Sequence, residues 1–295
     1  MERVMVTGVT GVLGRATLQG VLRATPAVQI AGLARDPAKV ADLAQLGIDI
    51  RRGDYYDSKS LRAAFRGITR LLFVSATAFS ERMDQHCNVI QAAREAGVRH
   101  VIYTSIQRKP GSPLRISRVT ESDILTEEAL ATSGMDYTIL RNNVYLDYLP
   151  FMVGSDALTR GVRVPGGKGA AALVSRADLS EAAAAVLTQP GHVGKVYTLG
   201  AGSAFSLPDV ASALTALSGH DVDYVNLSTS AFVRERVAAG MPEAAANFLS
   251  EWIEAIGSGE FEETTGDMER LIGRPPSGYL QFLRAAYQLP HSERD

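Results

Sequence analysis

A short β-branched run, Arg3–Thr7, passes directly into Gly8-Val9-Thr10-Gly11-Val12-Leu13-Gly14, and apolar residues then recur at helical spacing over Val12–Ala24. This strand, glycine turn and helix constrain the fold more than any other feature of the chain. The glycines follow the pattern GxxGxxG. Gly8 permits the sharp turn out of the strand. Gly11 lets backbone approach a ligand with no Cβ in the way, and Gly14 lets the helix pack close to the strand. The first helical turn then offers free N–H groups and the positive end of the helix dipole to a pyrophosphate. Thr7, Thr10, Val12 and Leu13 belong to the same turn and are expected to line it. The bland alternative is a tight β–α turn without a ligand. The position after a strand and at the head of a βαβ unit favours nucleotide binding.

The first half keeps this rhythm. Strands are expected at 28–34, 48–51, 70–75, 100–105 and 137–140, alternating with helices at 37–46, 60–65, 81–96 and 117–132. Such alternation, with strands apolar on both faces, is the signature of a parallel sheet covered on both sides. After Arg141 the pattern loosens. Val162–Val164 and Leu173–Val174 read as short strands of a hairpin about the turn Pro165–Gly169. A helix at 178–187 and a strand at 195–199 follow, then helices at 206–217, 229–239, 243–256, 267–272 and 279–289. The expected class is α/β, a doubly wound parallel sheet of the Rossmann type. It takes residues 1–143 and about 172–200, while 144–171 and 201–295 form a smaller helix-rich cap.

Composition narrows the function. Lys and Arg number 30 against 32 Asp and Glu, a net charge of −2, which argues against a broad nucleic-acid surface. The lone cysteine, Cys87, excludes an intrachain disulfide and a multi-cysteine zinc site. His86, His100, His192, His220 and His291 show no metal-ligand spacing, so no metal is expected. No apolar run approaches the ~20 residues of a membrane span, and no signal-peptide pattern is seen. The expectation is a cytoplasmic protein with a small-molecule partner, its oligomeric state left open.

Cofactor preference is set at the end of the second strand, where an acidic residue holds the ribose hydroxyl of NAD and an arginine the 2′-phosphate of NADP. Arg35 stands there, 21 residues past Gly14. Asp36 precedes Pro37 at a helix start and reads as an N-cap. Lys39 is a candidate second cation. Other strand ends point into the same crevice: Asp54 and Tyr55, Ser75-Ala76-Thr77, and Thr104-Ser105.

These motifs resemble the atypical short-chain dehydrogenase/reductases of the NmrA-like group, and within it the NAD(P)H:quinone oxidoreductase and triphenylmethane reductase branch. The resemblance rests on Val6–Gly14, Leu33-Ala34-Arg35-Asp36, Arg52-Gly53-Asp54-Tyr55, Leu71–Ser75, Ala92–Val98, Tyr137–Asn142 and Gly194–Tyr197. It implies NADP(H), with the nicotinamide near Leu140–Asn143, Asn142 among its contacts, and a hydride acceptor beneath the C-terminal cap. Two stretches depart from the branch: Asp123 stands where a His is frequent, and Gln107–Arg118 is basic, with Pro110, Gly111 and Pro113.

Ordinary short-chain dehydrogenases protonate a carbonyl with a Tyr-x-x-x-Lys pair on the helix after the fifth strand. Residues 117–132 contain neither residue, and the one match, Tyr55 to Lys59, follows the third strand. Without a strong acid, the favoured acceptors are those that take hydride readily: quinones, cationic dyes, iminium ions and polarised enones. Tyr145, Asp123 and Ser105 are the candidate weak donors or orienters. The reading is an NADPH-dependent reductase of quinone-like or similarly electrophilic acceptors. A non-catalytic redox sensor, and a tailoring reductase of polycyclic or imine substrates, are the alternatives.

Overall fold

The computed structural model describes residues 2–77 and 80–289; His291 lies outside them. β1 (Val4–Val6), α1 (Val12–Ala24), β2 (Ile30–Ala34), α2 (Ala41–Gln45), β3 (Asp49–Arg52), α3 (Ser58–Ala64), β4 (Arg70–Phe73), α4 (Arg82–Glu95), β5 (His100–Ile106), α5 (Thr120–Ala131) and β6 (Asp136–Asn142) alternate as expected. Beyond them come α6 (Leu149–Val153), α7 (Ala157–Arg160), β7 (Val162–Val164), β8 (Ala170–Ala171), α8 (Arg176–Thr188) and β9 (Val196–Leu199). The chain continues through β10 (Phe205–Ser206), α9 (Leu207–Ser218), β11 (Tyr224–Asn226), α10 (Thr229–Ala238), α11 (Glu243–Gly257), α12 (Asp267–Ile272) and α13 (Tyr279–Ala286).

Seven strands form one sheet in the order β3-β2-β1-β4-β5-β6-β9, all parallel. The expected doubly wound α/β class is therefore observed. Connections run outward in opposite directions from β1 and β4, which opens a crevice at the carboxyl ends of these two strands. One face of the sheet packs Leu18 and Val21 of α1 against Leu179 and Val186 of α8. The other packs Leu61, Val89 and Leu130 of α3, α4 and α5. A third apolar cluster joins Ile106 and Val119 to later elements through Met152, Leu207, Leu214, Phe232 and Ile253.

Local chemistry sets the helix starts. Asp36 accepts from the Ala38 N–H and opens a 3₁₀ turn at Pro37–Val40, so the expected helix at 37–46 is split. Asp57 accepts from Lys59 and Ser60 N–H at the head of α3. Ser206 and Asp209 form a capping box on α9.

The expected hairpin at Pro165–Gly169 is not formed. β7 pairs in parallel with β11, and β8 antiparallel with β10. Leu173–Val174 contributes only a bridge from Val174 to Tyr145. The cause is a backbone crossing from far along the chain. Gly169 N–H donates to Gly257 O at 3.0 Å, and a Cβ on Gly257 would lie 2.4 Å from Gly166 O. The glycines serve this contact with the end of α11 and not a tight turn. Gly257→Ala should therefore destabilise the protein by about 1–3 kcal/mol, the usual penalty of overpacking. Urea unfolding of variant and parent checks this; equal midpoints would mean that the crossing has slack.

Candidate functional site

A cavity of about 730 Å³ runs along the carboxyl ends of the strands, from the glycine turn to α11. At one end Gly8 is left-handed (φ 65°), and Gly11 N–H donates to Gly8 O at 2.9 Å. A Cβ on Gly14 would sit 2.4 Å from Gly8 O and 2.7 Å from Thr7 O, so only glycine lets α1 begin so close to β1. No side chain caps α1, and its first turn holds no acidic residue. Its leading N–H groups are left for an anion. Gly8, Thr10, Gly11, Val12, Leu13 and Gly14 line the cavity.

Arg35 lines the same end and is exposed. It has no hydrogen-bond or ion-pair partner among the described residues. Lys39 is exposed and does not line the cavity. Asp54 and Tyr55 do. The Tyr55 hydroxyl donates to Val74 O at 2.8 Å and lies 2.5 Å from Thr7 Oγ1, and burial pushes its pKa well up. Lys59 is exposed and outside the cavity. The Tyr55–Lys59 match is thus no acid pair. Thr7 and Thr104 are buried behind the site. Thr7 Oγ1 accepts from Val74 N–H and Thr104 Oγ1 from Ser75 N–H, both at 2.9 Å. They brace the segment whose Ser75, Ala76 and Thr77 face the cavity.

His86, absent from the sequence reading, braces the same segment. Its Nε2 accepts from Ala76 N–H at 3.0 Å and its Nδ1 lies 2.8 Å from Thr126 Oγ1. That arrangement defines a neutral ring protonated at Nδ1. Burial, aided by the Arg82 charge, lowers its pKa to about 3.

At the centre, Asn142 is buried, lines the cavity, and has no hydrogen-bond partner for Oδ1. Asn143 is committed instead, its Nδ2 donating to Gln107 Oε1 and Phe261 O at 2.8 Å. Asp123 lines the cavity but accepts from Arg82 Nη2 at 2.7 Å and from the Tyr103 hydroxyl at 2.5 Å. Burial raises its pKa, against the pull of Arg82. Ser105 also faces the cavity, and its hydroxyl donates to Glu127 Oε1 at 2.6 Å. Burial alone would raise Glu127, but hydrogen bonds from Arg108, Arg141 and Ser105 hold it down at about 2. Asp123 and Ser105 are therefore tied into networks. Tyr145 is half-buried, lines the cavity, and has its pKa raised by burial.

The far end is walled by residues that follow β6. Tyr145 stacks on Tyr148 at 6.1 Å and 15°, and Phe151, Met152, Phe248, Leu249 and Trp252 complete an apolar chamber. The sequence places the acceptor space beneath the later helices and against Tyr145–Phe151, which takes in Tyr148, but singles out neither Phe248 nor Trp252. Arg82 and Arg176, which also line the cavity, carry no such signal.

Sheet order, glycine turn and crevice together define a dinucleotide-binding oxidoreductase fold. Three features fit the dinucleotide independently: a cradle that a Cβ would fill at Gly14, an unpaired cation at Arg35, and an orphaned buried acceptor at Asn142. The chain belongs to the NAD(P)H-binding family, which matches residues 8–190. It is 38% identical over 274 residues to quinone oxidoreductase 2 of Escherichia coli strain K12, covering 92% of this chain and 94% of that protein. A crystal structure of an Escherichia coli NADPH-dependent quinone oxidoreductase complexed with NADPH superimposes with a TM-score of 0.90 and 36% identity, over 96% of this chain and 99% of that one. The Citrobacter sp. triphenylmethane reductase complexed with NADP(H) gives 0.89 and 33% over 96% and 99%. The resemblance read from the motifs is borne out. Among the described residues no cluster of His, Cys, Asp and Glu could hold a metal, and no helix is long and apolar enough to cross a membrane.

Arg35→Ala should weaken NADPH binding by roughly 10- to 100-fold, the worth of charge-assisted bonds to a phosphate. NADH binding should hardly change, and equal losses for both would refute the assignment. His86 generates a pH prediction. Its folded pKa of about 3 lies below the unfolded 6.5, so the unfolded chain binds more protons between these values. The neutral ring's stabilisation is complete above pH 6.5 and is lost as pH falls toward 3. At 1.36 kcal/mol per unit, the stability gap between parent and His86→Gln should shrink by about 2 kcal/mol from pH 7.5 to 5. Urea titrations at both pH values measure it; a constant gap rejects the neutral buried ring.

Proposed function

We propose that this protein is an NADPH-dependent reductase of planar, quinone-like acceptors. The observation that carries the reading is the aromatic chamber continuous with the dinucleotide crevice and meeting it at Asn142 and Tyr145. A redox sensor needs the crevice but not such a chamber. NADPH bound in the crevice supplies the hydride. The 2′-phosphate is assigned to Arg35, the pyrophosphate to the head of α1, and the carboxamide N–H to Asn142 Oδ1. Tyr145 and Tyr148 stack on the acceptor and exclude water. Ser105 and Asp123, already hydrogen-bonded, hold the floor of the site in place. Asp123 and Ser105 are committed to hydrogen bonds and burial holds the Tyr145 proton more tightly, so acceptors whose products do not need immediate protonation are favoured.

Purified protein should oxidise NADPH with simple benzoquinones and naphthoquinones but not with unactivated ketones. Tyr145→Ala should lower kcat/KM for the quinone by roughly five- to tenfold, the worth of an aromatic stack. Its NADPH affinity should stay close to the parent's. Ketone reduction at rates matching those of quinones would overturn the reading, as would NADPH binding without turnover of any quinone.

A further inference from the structure

The lining of the chamber carries charge of one sign, with its counter-ion set behind it. Of the charged side chains that face the cavity, Arg35 and Asp54 belong to the end beside the glycine turn, and Arg82 and Asp123 cancel as an ion pair at 2.7 Å. Among the cap-side lining residues Arg176 is the one ion. It sits at the first position of α8, with its guanidinium carbon 5.2 Å from the centre of the Tyr148 ring. Its Nε forms an ion pair with Asp147 Oδ1 at 3.1 Å, and the Arg176 backbone N–H donates to Asp147 Oδ2 at 2.9 Å. Asp147 itself does not line the cavity. The terminal guanidinium nitrogens have no hydrogen-bond partner among the described residues. The side chain is 22% exposed, so the group is held in place yet reachable.

We infer that Arg176 is a specificity-determining residue that selects aromatic acceptors carrying an oxyanion or a polarised carbonyl oxygen, and disfavours cationic dyes. The inference rests on the proposed reductase reading and names its substrate class. Its chemistry is balanced. Bound NADPH would supply a hydride and leave as NADP⁺, the hydrogen and its electron pair forming an O–H bond at one quinone oxygen. The electron pair displaced through the quinone π system then rests on the other oxygen as an oxyanion. Water protonates that oxygen and leaves as hydroxide, which completes the quinol. A fixed guanidinium whose Nη edge is free stabilises the oxyanion where no acid is available, and it does so most strongly where water is excluded. A delocalised cation entering the same chamber meets a like charge beside the Tyr148 face.

Trp252 is the sole tryptophan of the chain and lines the chamber, so its fluorescence reads ligand binding without turnover. Protein saturated with NADP⁺ is titrated with two redox-inert ligands of matched size, 2-naphthoate and N-methylquinolinium. The naphthoate should bind about tenfold more tightly. Arg176→Gln should abolish that preference, while Arg176→Lys, which keeps the charge, should retain part of it. NADPH affinity should be unchanged in both variants, which separates the effect from the cofactor phosphates. Steady-state rates should show the same order, with quinone kcat/KM falling about tenfold in Arg176→Gln and cationic dye reduction rising. Equal binding of the two ligands to the parent, or an anion preference that survives in Arg176→Gln, overturns the proposal. An Arg176-dependent anion preference in a protein that reduces no quinone would sustain the recognition role and sink the reductase reading instead.

Discussion

Everything in this site hangs on one close approach, that of Gly14 to the carbonyls of Thr7 and Gly8. With no Cβ in the way, α1 begins almost on top of β1 and points its N–H groups into the crevice. The consequence travels along α1. A Cβ on Gly20 would lie 3.0 Å from the Ala184 Cβ, so the same helix lies tightly against α8. α8 in turn begins at Ser175 and Arg176, on the rim of the cavity. One helix pair therefore fixes both the glycine turn and the position of Arg176. Small-residue contacts make this rigid, because packed helices have few alternative positions at such separations.

Beneath the cavity floor runs a second constraint, a buried polar web. His86 joins Ala76 to Thr126, Thr126 donates to the Ser122 carbonyl, and Arg82 links Ser122 to Asp123 and so to Tyr103. Phe73 packs edge-on to His86 and tilted on Tyr103 at 5.0 Å, which keeps the web dry. Such networks are costly when half satisfied and rigid when complete. This one is nearly complete, and that decides the chemistry. Its polar groups hold each other and stabilise the strand-end loops, and none is left over as a mobile acid.

The sheet and the cofactor end were legible in the sequence because local rules set them. Strand and helix alternate at short range, Asp36 and Asp57 cap their helices as short-range rules require, and GxxGxxG acts within seven residues. Arg35 was legible for the same reason, being tied to the end of β2. The cap was not. β8 and β10 are two residues long and show no period, and the partner of Gly166 lies at Gly257, beyond any local pattern. Trp252 and Phe248 fall within the expected helix at 243–256, where no local pattern tells a core residue from a cavity wall. Arg176 fell just outside the expected helix at 178–187, so its place at the rim had no signal. Asp123 and Ser105 were found as cavity residues, but their partners Arg82 and Glu127 could be known only from the packing.

The distribution of charge along the cavity follows from what it costs to bury an ion. Arg35 can stand unpaired because it is exposed and solvated by water. At the centre, where burial is nearly complete, Arg82 and Asp123 occur only as a pair, since a lone ion there would be penalised by several kcal/mol. Arg176 is intermediate. Asp147 engages one edge from outside the chamber and the Tyr148 face adds cation–π stabilisation, while the far edge stays open. Full pairing would neutralise the chamber, and full exposure would screen the charge into irrelevance. The partial compensation seen here is the condition under which a cation can act on an acceptor that arrives with, or acquires, negative charge.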